Sequence, residues 1–137
     1  FNWPPAKMFL GDAGSYFYGY LFAIFSLITV KNEYLSIWTW LIIFAYFITD
    51  TATTTFLRIL LVKNWYHTHR SHAYQNLARV LNNHKFVTVL ILGINVFYLL
   101  PLAYLSIQYQ QYAWLAFLAS VIPIFAFVLK YGPLYAR

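Results

Sequence analysis

The chain has no cysteine, one methionine and three acidic residues, and charged side chains make up 9% of its 137 residues. Each scarcity excludes something. Without cysteine there is no disulfide and no thiolate metal site, and the redox compartment leaves no mark. A soluble domain usually carries about 25% charged residues, so a fraction this low argues for an integral membrane protein. The three acids are Asp12, Glu33 and Asp50, too few for a carboxylate-rich site built from this chain alone. Nine Lys and Arg raise the net charge to +6. Apolar runs separate these charges, so a positive-inside bias explains them better than a nucleic-acid surface, and no nucleic acid is expected as a partner.

What is present is apolar: 62% hydrophobic residues, 23% aromatic and a mean hydropathy of +0.61. Four runs, at about 14–30, 34–55, 86–107 and 112–129, are long enough to cross a bilayer as helices, which takes roughly 17–25 residues each. Lipid cannot satisfy backbone polar groups, and the runs lack the strict alternation of barrel strands, so the fold class is all-α: a polytopic bundle of four transmembrane helices. Residues 1–137 read as a single transmembrane domain without internal repeats. Pro4 and Pro5 hold the start extended. Tyr16, Tyr18 and Tyr20 suit an interfacial aromatic belt. Lys31-Asn32-Glu33 reads as a tight turn, Pro101 as a kink in the third span, and Gly132-Pro133 as a stop. A loop at about 58–85 separates the second and third spans and holds all four histidines.

With four spans, both termini and this loop share one side. That side carries Lys7, Arg58, Lys63, Arg70, Arg79, Lys85, Lys130 and Arg137; the other carries Lys31 alone. The asymmetry places the termini, Asp12 and the loop in the cytoplasm. Phe1-Asn2-Trp3-Pro4-Pro5 has neither an initiator Met nor the pattern of a signal peptide, and reads as a chain cut from something longer.

Few residues can carry chemistry. Asp12, between Gly11 and Gly14 at the mouth of the first helix, suits a magnesium–diphosphate site, because magnesium takes one or two protein carboxylates plus substrate phosphates. It suits equally a first-turn acid stabilised by the helix dipole. Asp50 lies within a span, where acids default to function, yet its neighbouring threonines and Arg58 can satisfy it structurally. In His69-Arg70-Ser71-His72-Ala73-Tyr74-Gln75, a helix would put His69 and His72 on one face. Arg70 offers a planar fork for phosphate, and the two imidazoles further donors. The same stretch reads as a solvated basic loop on lipid headgroups. A zinc site lacks a third ligand nearby.

Taken together, Lys7-Met8-Phe9-Leu10-Gly11-Asp12-Ala13-Gly14-Ser15, Asp50-Thr51, Arg58 and the loop His69–Gln75 resemble glycosyltransferase family 4, the polyprenyl-phosphate N-acetylhexosamine-1-phosphate transferases. The loop form H-R-S-H-x-Y-Q resembles the subgroup that initiates O-antigen. The resemblance implies transfer of a sugar 1-phosphate from a UDP-N-acetylhexosamine, such as UDP-GlcNAc or UDP-N-acetylfucosamine, to undecaprenyl phosphate, with release of UMP. It implies magnesium, or manganese in its place, and a site on the cytoplasmic face of a bacterial inner membrane. Asp12 would be the metal ligand and the catalytic acidic residue. His69, Arg70 and His72 would bind the nucleotide sugar. A homodimer is left open. The family loop has Asp where His69 stands, and later histidines where Tyr74 and Gln75 stand. The family's D-D pair and D-G-x-D-G segment do not occur in these residues, so the chain is expected to be a C-terminal part that is inactive alone. The competing class is a non-catalytic membrane subunit, or degenerate relative, that binds lipid phosphate or a partner through the basic loop. A small transporter with proline-interrupted helices is a third reading.

Overall fold

The irregularities of this helical chain place its polar groups. A computed structural model describes residues 3–4, 6–61, 66–67 and 71–133, and among them the regular structure is helical, without strands. Helix α1 spans Gly11–Lys31, α2 Ile37–Ile43, α3 Ala45–Leu61, α4 Ala73–Leu81 and α5 His84–Ile94. A π-helical turn, Asn95–Leu99, leads into α6, Leu100–Gln108; a 3₁₀ turn, Gln110–Tyr112, precedes α7, Ala113–Tyr131. Three stretches are long and apolar enough to cross a membrane: Gly11–Lys31, His84–Gln108 and Gln110–Tyr131. The bent pair α2–α3 makes a fourth if it counts as one span.

Gly11 opens α1 with φ +67°, a left-handed conformation that a Cβ would strain. Asp12 in the first turn and Lys31 in the last complement the helix dipole. The expected tight turn follows: the Asn32 N–H donates to the Ile28 carbonyl at 3.0 Å, and the Tyr34 N–H to the Thr29 carbonyl at 2.9 Å. Ser36 then caps α2, its Oγ accepting from the Thr39 N–H at 3.3 Å.

The expected second span, 34–55, is not one straight helix. It breaks at Phe44, where α2 and α3 meet with a bend of 74°. The local sequence Trp40-Leu41-Ile42-Ile43-Phe44-Ala45-Tyr46 contains no proline or glycine, the usual causes of a sharp kink. Packing sets the bend instead. Ala45 and Tyr46 bury against Leu99, Ile124 and Val128, with Ala73 completing the cluster. The small side chain of Ala45 lets the backbone approach α7 closely at that point. Arg58 does not end the helix either. It is buried, its Nη2 donates to the His67 carbonyl at 3.2 Å, and α3 runs on to Leu61. The result is a helix with its polar side inward: Thr49, Asp50, Thr53, Thr54 and Arg58 are buried, whereas Phe47, Phe56, Ile59 and Leu60 face out. A helix of a soluble protein has the opposite polarity.

Both internal prolines are accommodated without breaking their spans. Pro101 has no N–H, and its ring would press on the carbonyl of Phe97, four residues back. The backbone widens just before it, the Leu100 N–H donating to the Asn95 carbonyl. Within α7, Pro123 leaves the Ala119 carbonyl without its helical donor. The Tyr98 hydroxyl supplies one, donating to that oxygen at 2.7 Å. At the other end of the bundle the Thr39 and Ser106 hydroxyls pair at 2.9 Å and tie α2 to α6. Helix α1 is attached more lightly. None of its residues is buried, and it meets α2 through a Trp40 Nε1–H bond to Thr29 Oγ1 at 2.8 Å and the rings of Phe22 and Phe44.

Tyr98→Phe should cost about 0.5–1.5 kcal/mol in micelle unfolding, the usual net worth of one hydrogen bond. In a Pro123→Ala background residue 123 regains its N–H, so the same change should cost less. A coupling below about 0.3 kcal/mol would remove Tyr98 from this role.

Candidate functional site

The polar side of α3 and the start of α4 meet at one buried carboxylate. Asp50 is 4% exposed. Its Oδ1 accepts the Ala73 N–H at 3.1 Å and the Thr54 hydroxyl at 3.3 Å. Its Oδ2 lies 3.5 Å from His72 Nδ1. Ala73 is the first residue of α4, so an acid on one helix satisfies an N–H left over at the start of another. The partial positive charge of a helix N-terminus favours a carboxylate there. The threonine part of the expected environment is present, as Thr54. For Arg58, the contact described is the one to the His67 carbonyl.

His72 is not on a helical face. Its backbone is extended (φ −64°, ψ 149°) and the helix begins after it. The expected pairing of His69 and His72 at helical spacing falls in part on residues that are not described. His69 and Arg70 lie outside the described residues, as does Lys63. The His72 side chain is 23% exposed. The two residues that depart from the family pattern support it. The ring of Tyr74 stacks at 6.0 Å and 26°, and Gln75 Oε1 accepts the His72 N–H at 3.3 Å.

Helix α4 is fixed by a residue the sequence did not single out. Asn76 Nδ2 donates to the carbonyls of Tyr131, at 2.7 Å, and Gly132, at 3.0 Å. These are oxygens at the end of α7 that need donors. Asn76 Oδ1 accepts from Arg79 Nη2. The only sequence signal was the position of Asn76, one turn after His72. Tyr46 was missed too: its hydroxyl is buried with no hydrogen-bond partner among the described residues, one turn before Asp50 on the same side of α3.

Asp12 is exposed in the first turn of α1. The structure joins Asp50 to His72 but does not join Asp12 to either. Among the described residues no three His, Cys, Asp or Glu side chains gather where they can hold a metal ion. Magnesium needs only one or two protein carboxylates when phosphates and water complete its shell. An exposed Asp between glycines fits as one such donor. Close to Asp12 a groove of about 640 Å³ opens between α1 and the bent pair. Leu10, Ser15, Gly19 and Phe22 form one wall, and Trp40, Phe44, Phe47 and Ile48 the other. Phe47 and Ile48 immediately precede the turn that bears Asp50.

Compared with known families, residues 1–30 match the model for glycosyl transferase family 4. The match takes in the Lys7–Ser15 segment and nearly all of α1, and does not reach Asp50 or the histidine loop. No curated protein and no solved structure matches the chain.

Asn76→Asp keeps the size of the side chain but replaces its donor with an acceptor. It should destabilise the docking of α4 on α7 by about 1–3 kcal/mol, the cost of unsatisfied buried groups. Hydrogen exchange should quicken over residues 73–81 while 113–125 stay protected; unchanged exchange in α4 would count against the contact.

Proposed function

We propose that this chain is the membrane portion of a glycosyl transferase family 4 enzyme. The enzyme moves a sugar 1-phosphate from a UDP-N-acetylhexosamine, UDP-GlcNAc or a deoxy sugar such as UDP-N-acetylfucosamine, to undecaprenyl phosphate. An oxygen of the lipid phosphate bonds to the phosphorus that bears the sugar, the P–O bond to the second phosphate breaks, and UMP leaves. The product initiates a cell-surface polysaccharide. The observation that carries this reading is the Lys7–Ser15 segment: it lies inside the family match and holds an exposed carboxylate at the start of an apolar helix.

Asp12 would hold magnesium, or manganese in its place, and such an ion would neutralise diphosphate charge during the displacement. Arg70 and His72, with His69, would contact the nucleotide sugar. Asp12 alone is too little for a diphosphate–metal site, and Glu33 lies in the turn at the far end of α1, so further carboxylates would be needed. The apolar groove beside α1 suits the polyprenyl chain, with its phosphate toward Asp12. We count α2–α3 as one bent span. Four spans then place both termini and the loop at about 58–85 in the cytoplasm of a bacterial inner membrane, following the eight-to-one division of Lys and Arg. The end of α7 meets α4, while the Lys31 turn lies at the same end as the Thr39–Ser106 pair, in keeping with that division.

The full-length enzyme should release UMP from a UDP-sugar in the presence of undecaprenyl phosphate and magnesium. Asp12→Asn should lower kcat/KM by about 100-fold or more, the loss typical of removing charge stabilisation at a reacting centre, at unchanged expression. Activity at the wild-type level would take Asp12 out of the metal site. Gly19→Phe tests the groove separately. Gly19 lines the groove and a Cβ there meets nothing within 4 Å, so the larger side chain can start into the groove. It should raise KM for the polyprenyl phosphate and leave KM for the UDP-sugar alone; equal effects on both would place the lipid elsewhere.

A further inference from the structure

Asp50 is buried and lies between an imidazole and a helix start, so it is not placed to touch a substrate directly. Three contacts converge on His72 from two elements, α3 and α4. Asp50 Oδ2 on α3 faces its Nδ1 at 3.5 Å. The Tyr74 ring on α4 stacks against its ring. Gln75 Oε1 takes its backbone N–H. Asp50 Oδ1 meanwhile holds the next N–H in the chain, that of Ala73. One carboxylate thus fixes both the backbone that presents His72 and the edge of its ring.

We propose that Asp50 is the positioning residue of this site. Asp50 orients His72 by accepting Nδ1–H, with Tyr74 and Gln75 limiting the remaining freedom, in the segment proposed above to contact the nucleotide sugar. The Nδ1–H is present in one of the two neutral tautomers and in the protonated ring, and a carboxylate facing Nδ1 favours those forms. A carboxylate behind a working imidazole selects the tautomer and holds the ring angle. The place of Tyr74 and Gln75 follows from the same geometry. Where the family loop has further histidines, this chain uses the positions to brace the one imidazole that Asp50 holds. The nucleotide-sugar contact of His72 rests on the function proposed above; the Asp50–His72 coupling does not.

The test uses the full-length protein in detergent, with two variants, and avoids Asp50→Ala because that change also removes the cap on α4. Asp50→Asn keeps one oxygen for the Ala73 N–H and loses the charge. Nitrogen NMR of ¹⁵N-histidine-labelled protein, with His72→Gln to assign the signal, reads the tautomer directly. The wild type should show His72 protonated at Nδ1, and Asp50→Asn should shift that signal toward the mixture seen in free imidazole. UDP-GlcNAc with magnesium should bind Asp50→Asn about 10-fold or more weakly, as expected for loss of a hydrogen bond to a charged group. In a His72→Gln background Asp50→Asn should weaken it little further. A His72 signal that is the same in wild type and Asp50→Asn overturns the proposal, and so does full additivity of the two changes. If the NMR coupling is present but wild-type protein does not bind the nucleotide sugar, Asp50 still positions His72 and the function proposed above is what fails.

Discussion

In an apolar surrounding a backbone N–H or carbonyl without a partner costs several kcal/mol, and this requirement orders the whole structure. It makes the chain helical, and it dictates what accompanies each departure from a helix. Pro123 frees the Ala119 carbonyl, and Tyr98 reaches it. Pro101 is met by a wider turn of backbone. The start of α4 and the end of α7 both lie inside the protein, and two side chains, Asp50 and Asn76, supply the missing acceptor and donor. The polar residues of this chain are few, and three of the buried ones, Asp50, Asn76 and Arg58, are committed to this task.

That commitment links fold and site. Asp50 satisfies the α4 start and faces His72 with its other oxygen. Asn76 locks α4 onto the last turn of α7. The imidazole therefore faces α3 and sits at the start of a helix that is tied to α7, although it belongs to a connection between spans. The inward polarity of α3 has the same origin. A helix that must offer Thr54, Asp50 and Arg58 to partners inside the protein turns Phe56, Ile59 and Leu60 outward.

Three of the four spans were legible because long apolar runs ended by polar or turn residues leave little choice. The expected limits 14–30, 86–107 and 112–129 fall within a few residues of α1, of α5 through α6, and of α7. The second was not. Its bend comes from the burial of Ala45 and Tyr46 against α7, a contact between residues about 80 apart in the chain, and nothing local in Phe44 announces it. Arg58 looked like an exit from the apolar layer because its carbonyl partner at His67 is likewise invisible from composition. The site divides in the same way. Asp12 was legible from its glycines and its place at a helix mouth. The partnership of Asp50 with His72 depends on α4 docking beside α3, so sequence reasoning found both residues but not their contact.

The light attachment of α1 has a mechanical consequence. Its ties to α2 are at Phe22 and Thr29, and the groove separates its first two turns from α3. From Phe22 back to Asp12 is about 15 Å at ~1.5 Å per residue. A rotation of ~10° about those ties would carry the Asp12 carboxylate ~2–3 Å, the difference between a direct contact and one bridged by water. His72 has no such latitude, braced as it is by α3 and by the first turn of α4. The two halves of the candidate site therefore differ in stiffness: one is a fixed post and the other the tip of a lever, and whatever fills the groove sets the angle of the lever.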